Sequence, residues 1–146
     1  MNAKHLQTNL SLSADQLAQH GVVYQYITPD PQTYQTSLDH WKQQRNYIAQ
    51  DQITLTPNTP NLETLLEKFS KEHLHTDDEV RYILSGSGIF DIRSIQDEWI
   101  RLTVHAGDFI IVPANMYHRF TLTDEKKIDA IRLFKENPSW VPIYRT

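Results

Sequence analysis

Two histidines one residue apart, His73 and His75, stand just ahead of a glutamate, Glu79, and a third histidine, His118, follows later in the chain. On a β-strand, residues two apart project to the same side, so His73 and His75 share a face. Thr76, Asp77 and Asp78 suffice for a turn that returns Glu79 to that face at the start of the next strand. Between Glu79 and His118 runs Gly107-Asp108-Phe109-Ile110-Ile111-Val112-Pro113, which reads as a turn, a buried strand and a stop. His118 then opens a later strand. Three imidazoles and one carboxylate reaching one point suit a divalent first-row transition metal. Four protein ligands on an octahedral ion leave two positions for substrate or oxygen. The competing reading leaves His73 and His75 as exposed strand residues, Glu79 solvated and His118 hydrogen-bonded in a core.

The elements around this set differ between the two parts of the chain. Ser13-Ala14-Asp15-Gln16 forms a capping-box pattern, and Gly21 closes the short helix behind it. Val22 to Tyr26 reads as a strand. Tyr34, Leu38 and Trp41 fall on one face of a second helix, over about 35–48. A short strand at 51–56 follows. Thr59-Pro60 suits an N-cap and first helical residue, starting a helix through Leu62, Leu65, Leu66 and Phe69. After Ser70, short β-rich runs alternate with turn residues. Strands are expected near 72–75, 79–84, 88–92, 98–104, 109–112, 118–123, 129–135 and 140–144, with breaks at Ser85–Gly88 and His105–Asp108. Apolar residues occur on both parities of the central strands. Those strands are therefore expected to be covered twice, by a barrel interior and by the N-terminal helices.

The chain has 146 residues, 39% hydrophobic and 22% charged, which fits one domain over 1–146. Within it, 1–20 is expected to be a partly mobile N-terminal segment and 71–144 the metal-binding barrel. A net charge of −4 argues against nucleic acid or an anionic membrane surface as partner. No apolar run approaches the roughly 20 residues of a membrane span, and residues 1–20 are too polar for a signal peptide. A cytoplasmic location is the simplest expectation. There is no cysteine, so any metal is held by nitrogen and oxygen. His105 is expected to be exposed, and His20 and His40 to be surface or packing residues. Asp91, Asp97 and Glu98 read as solvated edge charges.

His73-x-His75-x-x-x-Glu79 followed by Gly86 resembles the first motif of the cupin superfamily, and Gly107…Pro113-x-Asn115-x-x-His118 the second. The resemblance narrows further, to the acireductone dioxygenase family. It is carried by Glu72-His73-Leu74-His75, the run Glu79 to Gly88 (EVRYILSGSG), Trp99-Ile100-Arg101, the run Pro113 to Phe120 (PANMYHRF) and Arg132-Leu133-Phe134. Arg45-Asn46-Tyr47, placed in the second helix, is also similar. The likeness spans about residues 20–145. It implies a mainly β fold, the double-stranded β-helix or jelly-roll barrel, with short N-terminal helices packed outside.

By position, the resemblance implies that His73, His75, Glu79 and His118 are ligands to one Fe2+ or Ni2+ ion per chain. It implies that Arg81 meets the substrate's oxygens. Strand parity puts Arg81 on the face of Glu79, which permits that role; a counter-ion to Glu79, Asp77 or Asp78 is the alternative. Phe69, Phe120 and Trp140 match positions of the apolar wall around the substrate, or are ordinary core aromatics. The implied partners are a methylthio-acireductone and O2. The implied products are formate and a 2-keto-4-methylthio acid with iron, and a carbon-monoxide-releasing cleavage with nickel. A monomer fits the family, and a dimer fits other cupins. Two departures stand out. Asn115 occupies the glycine of the family's Pro-Ala-Gly turn, and Asn is the non-glycine residue most tolerant of positive φ. The chain stops at Thr146, soon after Trp140, where family members carry a further tail, so a more open pocket is expected. These departures keep two other readings in view: another cupin enzyme (an enediol dioxygenase or sugar isomerase) and a non-catalytic small-molecule-binding cupin.

Overall fold

A computed structural model describes residues 1–135 and 141–146. The elements run β1 (Asn2–His5), α1 (Ala14–Gln19), β2 (Val23–Tyr26), α2 (Tyr34–Arg45), β3 (Ala49–Leu55), α3 (Leu62–Ser70), β4 (His73–Leu74), β5 (Glu79–Arg93), β6 (Trp99–His105), β7 (Asp108–Val112), β8 (His118–Leu122), β9 (Ile128–Phe134) and β10 (Ile143–Tyr144). All strand pairings among them are antiparallel.

The architecture turns on β5. Its first half pairs with β7 and β9, which in turn pair with β2 and β3. Its second half pairs with β6 and β8, giving the order β1-β6-β5-β8-β4-β10. One strand thus belongs to both sheets of a jelly-roll barrel, as expected for the cupin fold. The expected break at Ser85–Gly88 is instead a bend within a continuous strand. The pairing register slips between Ile83 and Ser85, and Gly86 adopts φ +77°. A Cβ at Gly86 would run into the Lys127 carbonyl oxygen, so only glycine fits this corner. The slip also changes which parity faces inward. Glu79, Arg81 and Ile83 line the interior before it, and Phe90 lines it after. This is why apolar residues appear on both parities of the run.

The first sheet is covered outside by α2. Leu38 and Phe109 are fully buried, and Trp41 stacks on Phe109 with ring centroids 5.0 Å apart. These side chains join Val80, Tyr82, Ile111 and Leu133 in one cluster. A second cluster, with Ile83, Phe90, Ile110 and Val112, fills the interior. β7 is buried on every residue because it lies between the two. The expected capping box at Ser13 is present in full.

Three local expectations shift. α2 ends at Arg45 because Asn46 turns left-handed at φ 62°, so Tyr47 lies beyond the helix. α3 starts at Leu62 behind a left-handed Asn61, and Thr59 belongs to the turn before it, its hydroxyl accepting from Thr56 N–H. Residues 2–5, which carry no strand pattern, pair with β6 and bury Ala3.

Asp91 is not a solvated edge charge: it is 3% exposed. It accepts hydrogen bonds from Arg101 at 2.8 and 2.9 Å and from Arg119 at 2.9 Å. Asp97 is paired with Arg145. The guanidinium carbons of Arg93 and Arg119 also lie over the Trp99 ring, 3.9 and 4.2 Å from its centre. The second sheet is therefore covered by a charged and aromatic ladder where the first is covered by a helix. Burial alone would raise the Asp91 pKa, but the two arginines outweigh it and hold the carboxyl below its ordinary 3.8. Its contribution to stability is therefore complete above the unfolded value and is lost as pH falls through the lower folded value. Asp91→Asn should cost about 1–3 kcal/mol near neutral pH. In urea melts, the gap to the unsubstituted protein should shrink below about pH 4; a gap constant from pH 7 to 3 would refute this role for the carboxylate.

Candidate metal centre

β4 and β8 run side by side with His73 directly opposite His118. His75 stands one residue beyond β4, and Glu79 is the first residue of β5. The three imidazole centroids are 4.6 Å (His73–His118), 5.0 Å (His73–His75) and 5.5 Å (His75–His118) apart. One ring nitrogen from each lies within 4.8 Å of the other two. All three rings are buried, which excludes the reading of His73 and His75 as exposed strand residues.

Each imidazole is fixed by a backbone carbonyl. His73 Nδ1 lies 2.6 Å from Lys71 O, His75 Nδ1 3.3 Å from Val141 O, and His118 Nδ1 2.9 Å from Met116 O. A carbonyl oxygen can only accept, so each Nδ1 carries the proton. In the neutral rings, Nε2 is left as a bare lone pair. His118 Nε2 is buried and makes no hydrogen bond; Glu79 Oε2 lies 3.0 Å away, but both atoms are acceptors. A buried nitrogen without a partner costs free energy. A cation held among the three nitrogens removes that cost, so the donor set fits a divalent transition metal.

The electrostatics favour the ligating form at two of the three imidazoles. Burial pushes the pKa values of His73 and His75 down, towards the neutral form that ligates. Burial would raise Glu79, but Arg81 and His118 hold its carboxyl well below the usual range. Burial would also lower His118, but Glu79 opposes it and the net shift is upward. A proton and a metal ion compete for that position. The Glu79 carboxylate faces the cluster, with Oε1 3.8 Å from His75 Nε2.

Arg81 reaches the same interior. It donates to Glu79 Oε1 and to Val80 O, each at 3.0 Å, so Glu79 is an acidic partner of Arg81. Asp78 instead accepts from Tyr47 Oη at 2.7 Å and from Ala114 N–H at 2.9 Å. Asn115 N–H donates to His75 O at 2.8 Å. These two bonds from the 113–117 loop tie it to the turn carrying the ligands. Asn115 takes φ 65°, the left-handed conformation a glycine would supply, so the turn survives the substitution.

Beyond Arg81 the cavity, about 100 Å³, becomes apolar, with Phe69, Phe90, Phe120, Ile128 and Ala130 on its wall. Phe120 packs against Phe90 at 4.8 Å and Phe69 at 6.3 Å. Trp140 lies outside the described residues. His5, His20, His40 and His105 take no part in the cluster. Sequence reasoning gave no role to Arg132, which lines the cavity opposite Arg81 and is gripped by Asp51 at 2.6 and 2.7 Å. Nor could it find the carbonyls of Lys71, Met116 and Val141, because backbone groups leave no mark on residue type.

Known proteins resemble this chain over its whole length. The model of the ARD/ARD′ family matches residues 1–142. Acireductone dioxygenase of Heterostelium pallidum is 50% identical over 145 residues, covering 99% of this chain and 98% of that protein. The enzyme of that name from Dictyostelium discoideum is 45% identical over 134 residues, covering 92% and 91%. Among solved structures, acireductone dioxygenase from Bacillus anthracis, with a cadmium ion in its active centre, superposes with a TM-score of 0.91 at 33% identity, covering 98% of this chain and 97% of that one. With the three-histidine centre set inside a jelly-roll barrel, these likenesses show that the chain belongs to the ARD/ARD′ family, the acireductone dioxygenases.

Proposed function

We propose that the chain is a metal-dependent acireductone dioxygenase that cleaves a methylthio-acireductone with O2. The observation that carries this is the inward turn of three buried Nε2 lone pairs beside Arg81, at the polar end of an otherwise apolar cavity. The names of the relatives support the same reading. His73, His75 and His118 would hold the ion through Nε2, with Glu79 as the fourth ligand. Fe2+ or Ni2+, one per chain, would supply Lewis acidity and two positions for the substrate's adjacent oxygens.

The rest of the work falls to the chain itself. Arg81 is held against Glu79 and keeps a fixed positive charge beside the point where an enediolate's oxygens would lie. It opposes the negative charge of the bound substrate without having to reorganise. The aromatic wall excludes water and seats the apolar tail. The backbone carbonyls keep the imidazoles from turning away. With iron the proposed products are formate and 2-keto-4-methylthiobutyrate. With nickel they are carbon monoxide, formate and methylthiopropanoate. The proposal assigns the reaction to methionine salvage, in the cytoplasm, by a monomer. No helix among the described residues is long and apolar enough to cross a membrane.

Protein loaded with Fe2+ should consume O2 and release formate when given the acireductone; formate no faster than in the uncatalysed control would remove the proposal. His118→Ala should weaken metal binding by more than the roughly 10–100-fold seen on removing an outer hydrogen-bond partner, read by competition with a coloured chelator. Undiminished affinity would contradict the coordination. Arg81→Ala should keep its metal and lose about 10²–10³ in kcat, with Arg81→Lys recovering part of it. Unchanged kinetics would make Arg81 structural.

A further inference from the structure

Gly88 is buried in β5. Its φ lies outside the left-handed region that Gly86 and Gly107 occupy, so backbone conformation does not explain a glycine there. Its surroundings do. A Cβ at position 88 would lie 2.6 and 3.0 Å from Cε2 and Cζ of Phe120 and 3.1 Å from Cδ1 of Ile128. Both of those side chains line the cavity. Phe90, two residues on, also lines it, and residues two apart on a strand share a face. A side chain at 88 would therefore point into the barrel and drive Phe120 and Ile128 before it.

The register places this contact far from the histidines. Along β8, His118 faces Ile92, Phe120 faces Phe90 and Leu122 faces Gly88. Four residues of strand separate the level of His118 from that of Gly88, about 13 Å. A substrate whose oxygens sit at the histidine end would send its tail toward Phe120, Ile128 and the bare backbone of Gly88.

Building on the proposed function, we infer that Gly88 is the specificity-determining residue for tail length: the missing side chain lets the Phe120 ring lie back on β5, opening the apolar end to an unbranched thioether or alkyl tail. Gly88→Ala should close that end while leaving the polar end intact.

The test uses Ni2+-loaded protein and two chelators with the same oxygen pair but different tails, acetohydroxamate and hexanohydroxamate, with affinities from calorimetry. The unsubstituted protein should bind the longer ligand at least about tenfold more tightly. Gly88→Ala should bind acetohydroxamate within about threefold of normal and lose about tenfold or more on hexanohydroxamate. Phe120→Leu makes room for the added methyl, so Gly88→Ala with Phe120→Leu should recover most of the loss. If Gly88→Ala alone does not fold, comparison of that double variant with Phe120→Leu isolates the methyl. An equal loss on both ligands, no loss, or no benefit from the longer tail in the unsubstituted protein would overturn the assignment. Oxygen uptake with an acireductone is measured alongside. A tail-length effect without turnover sinks the dioxygenase reading and keeps Gly88; turnover without a tail-length effect does the reverse.

Discussion

The structure depends on three hydrogen bonds from imidazole Nδ1 to backbone carbonyl oxygens. They fix the tautomer of His73, His75 and His118 and leave three lone pairs facing one another in a buried space. Such an arrangement is unfavourable unless something positive lies between them. The Glu79 carboxylate, kept ionised by Arg81, adds the negative charge that makes a divalent cation the best occupant. Metal binding and local order are thus one equilibrium, and the loops supplying the carbonyls belong to the site as fully as the ligands.

The barrel brings these groups together through one bent strand. β5 begins with Glu79 in one sheet and ends beside β8 in the other. Its corner at Gly86 and the register slip before it let odd residues face inward on one side of the bend and even residues on the other. Glu79 and Arg81 can then point at the same interior as Phe90 without breaking the strand. The 113–117 loop is pinned to Asp78 and His75 and delivers His118 to the same place.

The three-histidine cluster was legible because metal chemistry restricts residue type and spacing: a His-x-His pair with a third histidine opening a later strand has few other uses. The amphipathic second helix was legible from Tyr34, Leu38 and Trp41, which do meet the sheet. The bend in β5 was not, since Ser85-Gly86-Ser87-Gly88 has the composition of a turn and a bulge breaks the period-two pattern in the same way. Asp91 was misread because its partners, Arg101 and Arg119, come from two other strands, and register is not visible in a single sequence. The first strand went unseen because four residues pair by backbone alone, with only Ala3 buried.

The two clusters of apolar side chains lie on opposite sides of β7, and the one gathered beneath α2 needs nothing from the cavity. Trp41 on Phe109 and Leu38 among its neighbours anchor the first sheet from the outside. The cavity wall has no such independence: Leu55, Ile83, Phe90, Ile128 and Ala130 line it and also belong to the interior cluster, so a change there that alters what the scaffold accepts also lowers its melting temperature.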